Sequence, residues 1–141
     1  MDFITSFDIC ASGLTAQRKK MDVIASNLAN AGTIQTPEGG PYKRKVAVLA
    51  AEPVGGRFGA ALQDALSRVK VQEVIEDAEG RKKVHDPSHP NADEQGYVTY
   101  PNVNVVTEMA DMITANRAYE ACVTAMDASK NMVLKALDIG K

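Results

Sequence analysis

Tryptophan is absent from this 141-residue chain, and Phe and Tyr bring the aromatic share to only 5%. Any core must therefore come from Ala, Val, Ile, Leu and Met, without the large anchors that aromatic side chains supply. Cysteine occurs only at Cys10 and Cys122, too few for a disulfide framework or an unaided zinc site. No apolar run exceeds Val46–Ala51, far below the roughly 20 residues that cross a bilayer. A basic excess is missing too: 16 Lys and Arg stand against 18 Asp and Glu, which argues against a nucleic-acid binder. The basic cluster Arg18–Lys20 follows the first apolar residues, the reverse order of a secretory signal, so no cleaved leader is expected.

The usual marks of catalysis are equally sparse. His85 and His89 have a zinc-binding spacing for a helix, but Pro87 and Pro90 break any helix there. Gly55, Gly56 and Gly59 lack the Lys-Ser/Thr of a phosphate loop, and no Gly-x-Ser-x-Gly elbow is present. The triplets Lys43–Lys45 and Arg81–Lys83 carry no interleaved aromatics and read as solvated or salt-bridging strand faces. The chain is expected to be no enzyme, with no cofactor, metal, nucleic acid or small-molecule substrate.

What the chain does have is apolar periodicity. Apolar residues make up 45%, enough to exclude disorder throughout. Phe3, Phe7, Cys10, Leu14, Met21, Ile24, Leu28 and Ala31 step by four and three, with Gln17 as the polar entry. Val105, Met109, Met112, Tyr119, Val123, Met126, Val133 and Leu137 repeat the pattern, interrupted by Asn116 and Lys130. This 3.5-residue period keeps one stripe of a helix facing a partner. Thr5 and Asp8 have capping-box spacing, Gly32 and Pro37 supply a stop, Asn104 an N-cap and Gly140 a terminal stop. At 1.5 Å per residue the helices would run about 43 and 50 Å.

Between them the pattern changes. Lys43–Leu49, Val69–Ile75 and Gly96–Tyr100 read as strands, Val54–Gly59 as a flexible connection and Ala60–Leu66 as a short helical turn. The expected fold is mainly α with a small β-rich insert. Its long terminal helices pair as an antiparallel, coiled-coil-like hairpin. The division is an N-terminal helix over 1–34, an insert over 35–101 and a C-terminal helix over 102–141, the two helices forming one discontinuous core domain. Aligning residue 3 with residue 138 pairs positions that add to about 141. Cys10 and Cys122 are then about nine residues apart in level, roughly 13 Å, so no bridge between them is expected.

Each helix also carries further small or apolar series. Ile9, Ala16 and Val23 form one, Ile4, Ala11 and Ala25 another; Ala118, Ala121, Ala125, Ala128 and Met132 form a third, and Ala115, Cys122, Ser129 and Ala136 a fourth. One helical partner cannot bury so many stripes, which points to packing against neighbouring chains in a polymer.

Several motifs then carry a resemblance. Ser26-Asn27-Leu28-Ala29-Asn30, followed by Thr36-Pro37-Glu38-Gly39-Gly40-Pro41-Tyr42-Lys43-Arg44, is similar to the amino-terminal signature of bacterial flagellar axial proteins. Asp86-Pro87-Ser88-His89-Pro90-Asn91-Ala92-Asp93, Gly96-Tyr97-Val98 and Tyr100-Pro101-Asn102-Val103-Asn104 follow in order. With Glu108–Ile113 and Arg117–Ala121 they resemble the proximal rod proteins of the flagellar basal body. Cys122 departs from the Asn usual after Arg-Ala-Tyr-Glu-Ala.

The resemblance implies a structural subunit of a helical rod that carries motor torque across the periplasm. It is exported by the flagellar apparatus and touches copies of itself, other rod subunits and the base adaptor to the MS ring. Residues expected in assembly contacts are Phe3, Phe7, Leu14, Met21, Ile24, Asn27, Leu28 and Asn30 on the first helix. On the last they are Met109, Met112, Ile113, Arg117, Ala118, Tyr119, Glu120, Ala121, Val123, Ala125 and Met126. Asn27 and Asn30 are expected to satisfy backbone groups where the first helix ends, and Arg117 with Glu120 to bridge subunits. The competing readings are another axial protein of rod or hook type, and a soluble helical adaptor or chaperone of a secretion system.

Overall fold

The computed structural model describes residues 3–53, 66–77 and 79–139. Helix α1 spans Phe3–Ala29 and helix α2 spans Val105–Ile139, with strands β1 (Arg44–Pro53), β2 (Ser67–Asp77), β3 (Lys82–His85) and β4 (Tyr97–Tyr100) between them. The connection expected over Val54–Gly59, all of the turn over Ala60–Leu66 except Leu66, and the Gly140 stop lie outside the described residues.

α2 begins as expected. Asn104 Oδ1 accepts from the backbone N–H groups of Val106 and Thr107 at 3.1 and 3.4 Å, capping two of the four donors a helix start leaves unpaired. At the other terminus of the hairpin, Thr5 lies inside α1 rather than capping it, because the helix already runs from Phe3. α1 stops where Asn30 Nδ2 donates to the Ser26 carbonyl at 2.9 Å and the Thr33 N–H closes a turn onto the Asn30 carbonyl. The Ser26 carbonyl thus accepts both the backbone N–H of Asn30, at 3.1 Å, and its side chain, and the chain turns away just beyond.

β1 and β2 form an antiparallel ladder from Arg44↔Asp77 to Pro53↔Ser67, with Gln72 bulged out between Glu73 and Val71. A two-stranded ribbon is marginal alone and needs a helix against it. α1 provides one: Ser12 Oγ accepts from the Val69 N–H at 3.1 Å, and Ala16 and Val23 are buried. The second ribbon, β3 with β4, pairs Lys82↔Tyr100 through His85↔Tyr97. β3 escapes a sequence reading because Lys82-Lys83-Val84-His85 holds one apolar residue and every side chain is exposed. Gly96 (φ 79°) closes this ribbon, and a Cβ there would stand 3.2 Å from both His85 Nε2 and Pro87 Cβ.

The helices are antiparallel, in a register that differs from the expected one. Asn27 meets Glu108, and a Cβ on Gly13 would lie 3.1 Å from Cys122 Sγ, so facing positions add to 135 rather than 141. A specific polar pair, not alignment of the helix ends, sets the register. Cys10 and Cys122 are consequently about three residues apart in level, roughly 4.5 Å, and not nine. Both are half-buried free thiols. Gly13→Val should wedge the helices apart here, costing about 1–3 kcal/mol through overpacking. The midpoint of the helical melt should fall and should recover in Gly13→Val/Cys122→Ala. An unchanged midpoint in the single variant would mean that the helices do not approach closely at this level.

A polar clamp beneath open helical faces

Two polar side chains lie at the centre of the molecule: Asn27 and Glu108, each 1% exposed. Asn27 Nδ2 donates to the Lys45 carbonyl at 2.8 Å and to Glu108 Oε2 at 3.0 Å. Its Oδ1 accepts from the Lys45 N–H at 2.9 Å and from the Tyr42 hydroxyl at 3.1 Å. Two donated and two accepted bonds use the full capacity of a carboxamide. Glu108 Oε1 accepts from Arg44 Nε at 2.7 Å, which compensates the buried carboxylate. Ser26 Oγ shares a 3.2 Å bond with the Tyr42 hydroxyl, tying in the preceding residue of α1.

Local sequence delivers these groups. Gly39 and Gly40 have φ of 88° and 78°, the left-handed region that glycine enters without a Cβ penalty. The turn they make, closed by Thr36 N–H on the Gly40 carbonyl at 2.9 Å, returns the chain so that Tyr42 reaches α1. Asn102 completes the frame: its Oδ1 accepts from the Arg44 N–H at 3.1 Å while its Nδ2 donates to the Asp77 and Glu79 carbonyls at 2.8 Å. α1, β1, the end of β2 and the start of α2 thus meet at one hydrogen-bonded knot.

The expected assembly residues fall on several faces. Ile24 and Asn27 are buried; Phe7, Leu14, Met21, Leu28, Asn30, Met112, Ala118, Tyr119 and Met126 are half-buried. The side chain of Phe3 lies outside the described residues. Met109, Ile113, Arg117, Glu120, Ala121, Val123 and Ala125 are exposed, so within the chain Met109, Ile113 and Val123 form no core. The inward columns of α2 are instead Glu108, Ala115, Cys122, Ser129 and Met112, Tyr119, Met126, Val133. Glu120 accepts from Asn116 Nδ2 at 2.9 Å and is not paired with Arg117. Asn30 does satisfy a helix-end carbonyl, whereas Asn27 serves the backbone of β1. Gln17 is enclosed, its Oε1 without a hydrogen-bond partner.

Sequence reasoning missed Tyr42, Arg44 and Asn102 as site residues, and Glu108 entered it only as the first residue of the Glu108–Ile113 motif. For Tyr42, Arg44 and Asn102 the signal was present: each belongs to a quoted motif rich in Asn, Gly or Pro, residue types that mark special backbone geometry. The basic strand face holds in part, since Lys43 pairs with Glu76 at 3.0 Å on the surface while Arg44 turns inward. The histidines act locally: His85 stacks edge-on against Tyr97, and His89 Nδ1 accepts from the Asn91 N–H at 3.1 Å. No group of three or more potential metal ligands occurs among the described residues.

A long two-helix hairpin with outward-facing apolar side chains, clamped to a small β-rich insert, defines a structural, assembly-forming protein. Residues 7–33 match the family described as flagella basal body rod protein, and residues 94–139 match the carboxyl-terminal domain of flagellar basal body rod FlgEFG proteins. The flagellar basal-body rod protein FlgC of Bacillus subtilis (strain 168) is 43% identical, across 96% of this chain and 97% of that protein. FlgC of Escherichia coli O6:H1 is 42% identical across the whole of both chains, and FlgC of Aquifex aeolicus is 41% identical across 100% and 99%. The chain belongs to the FlgC family of flagellar basal-body rod proteins and is a structural subunit of the proximal rod.

Two outcomes test the clamp and its neighbouring loop. Glu108→Ala leaves Arg44 and Asn27 without their acceptor, and loss of one partner of a buried ion pair costs about 3–5 kcal/mol. Urea unfolding followed by tyrosine emission should show that loss, and a change within error would demote the clamp to a surface contact. In the loop after β3, the Ser88 hydroxyl (2.6 Å) and N–H (3.2 Å) hold the Asp86 carboxyl below its ordinary 3.8. A depressed acid contributes stability above its unfolded pKa and loses it as pH falls through the folded value. Ser88→Ala should move the Asp86 carboxyl titration, followed by carbon NMR, back up toward the ordinary value.

Proposed function

We propose that this chain polymerises helically with other rod subunits and with copies of itself to transmit motor torque across the periplasm. One observation carries the reading: over the 35 residues of α2, only Glu108 and Ala115 are buried. Large apolar side chains such as Val106 (77% exposed), Ile113 (57%) and Leu137 (64%) face outward. Such a surface is far more apolar than a solitary helix tolerates, and contacts with neighbouring copies are what remove it from water. A heterologous contact repeated by rotation and rise builds an open helical assembly.

In this reading residues 1–34 and 102–141 form one rod-core unit with coiled-coil-like packing, and residues 35–101 face outward. The chain passes through the flagellar export apparatus and meets the base adaptor to the MS ring. It is not an enzyme, and it does not span the membrane; among the described residues no helix is long and apolar enough to do so. In this reading Arg117 and Glu120, exposed and not paired with each other, bridge subunits.

Ala121 and Ala125 are both exposed, so neither belongs to the chain's own core. Ala121→Leu or Ala125→Leu is expected to leave export intact and to block incorporation. Each contact costs about 1–3 kcal/mol when a close-packed seam is overfilled, and the contact recurs in every copy. Immunoblots of culture supernatant and of purified basal bodies separate the two steps. Normal incorporation and motility in both variants would mean that the alanine series faces solvent in the rod.

A further inference from the structure

Both cysteines of the chain stand in the seam between the two helices. Gly13 and Asn27 mark the line along which α1 meets α2. Cys10, Gln17 and Ile24 form the adjacent column of α1, roughly 60° from Gly13 at about 100° per residue. Ser12 and Ala16 turn the other way, where they border a cavity with Glu52, Val69 and Val71 of the first ribbon. The Cys10 column is therefore the second row that α1 lays against α2, and in it Ile24 is buried and Gln17 Oε1 enclosed. Cys122 lies in the inward column of α2, between Ala115 and Ser129. Both are free, half-buried thiols.

Their separation follows from the register. Facing positions add to 135, so the two cysteines are staggered by three residues, roughly 4.5 Å. Helix axes about 8–10 Å apart leave roughly 3.5–5.5 Å between facing Cα atoms, each about 2.3 Å from its axis. Gap and stagger together set the Cα atoms about 6–7 Å apart, against the roughly 4.4–6.8 Å that a disulfide spans. Two features of this seam favour the short end. Gly13 has no side chain, and Cys122 Sγ sits 3.1 Å from where a Cβ would stand, so the backbones approach closely here. Helical side chains also lean toward the N-terminus of their own helix; in an antiparallel pair the Cα of Cys122 therefore lies nearer the level of Cys10 than its Sγ does.

We propose that Cys10 and Cys122 are a redox pair that staples the hairpin: thiols in the reduced chain, and an intrachain disulfide once a small disulfide oxidant reaches the folded seam. One protein thiolate attacks the oxidant's disulfide, forming a mixed disulfide and releasing one thiol. The other thiolate attacks the protein sulfur of that mixed disulfide and releases the second. The chain gives up two electrons and two protons, and the oxidant takes both as two thiols. The staple lies 17 residues along α1 from Asn27, about 25 Å, and fixes a second level of a hairpin whose register one polar pair otherwise holds. The inference concerns the fold of the chain itself and stands apart from the rod reading. In that reading, the oxidant is met outside the cytoplasm, where disulfides persist.

The test equilibrates the full-length chain in mixtures of reduced and oxidised glutathione, in water and in concentrated urea, then alkylates free thiols and maps the peptides by mass. The expected product joins Cys10 to Cys122 within one chain and is missing from Cys10→Ala and Cys122→Ala. In urea a long flexible loop holds the two thiols at about millimolar effective concentration. The fold should raise the bridging constant more than about tenfold above that, and linkage requires the unfolding constant of the bridged chain to fall by the same factor. Thiols that stay reduced, glutathione adducts in place of the bridge, bridges formed mainly between two chains, or a gain of tenfold or less would each overturn the staple.

Discussion

The bond between Asn27 Nδ2 and Glu108 Oε2 organises everything else in this chain. It joins residues 81 apart in sequence and both are withdrawn from water. A buried carboxamide and carboxylate tolerate only one arrangement of donors and acceptors, whereas Ala and Met columns slide past each other with little penalty. In a hairpin so poor in large side chains, polar geometry therefore sets the register, and packing follows it. The apolar residues buried among the described residues, Ala16, Val23, Ile24, Tyr42, Val98 and Ala115, are too few and mostly too small to specify a register themselves.

The sequence made some features of the fold legible and hid others, for physical reasons. Helix existence was readable because a 3.5-residue period sustained over several heptads has few other solutions. The Asn104 cap was readable because its chemistry is local. The direction of each stripe was not: a four-three pattern contains two columns, and nothing in the pattern says which one meets the partner. Met112, Tyr119 and Met126 turn inward while Met109 and Val123 do not. Register was misjudged by six positions because the ends of helices carry no pairing information, and the residue that does, Glu108, looks from sequence like an ordinary acid in a first turn. The small ribbon of β3 was invisible because its four side chains bury nothing.

Several of the motifs that carried the family resemblance converge on the clamp. Ser26 and Asn27, the turn through Gly39 and Gly40 to Tyr42 and Arg44, Asn102 and Asn104, and Glu108 all sit within one hydrogen-bonded frame. These segments share no chemistry with a substrate. What they share is the job of fixing where two helices leave a β-rich insert. Site legibility was thus uneven: the motifs were visible, but their common destination needed the fold.

Stability is distributed in a way that suits assembly. Hydrogen bonds concentrate where α1 ends and α2 begins, while the opposite end of the hairpin offers half-buried apolar contacts and, past residue 132, no helical partner among the described residues. Opening free energies follow local contact density, so the clamped end is the last to open and the far end the first. A neighbour that covers the far end contributes its apolar burial where the chain is least ordered, and the ordering cost is met at the moment of contact. The insert, held by the clamp, keeps its place relative to the helices throughout. In the proposed rod, a neighbour completes the order of the far end. The small side chains of α2 are then a requirement of the assembly rather than a deficiency of the core.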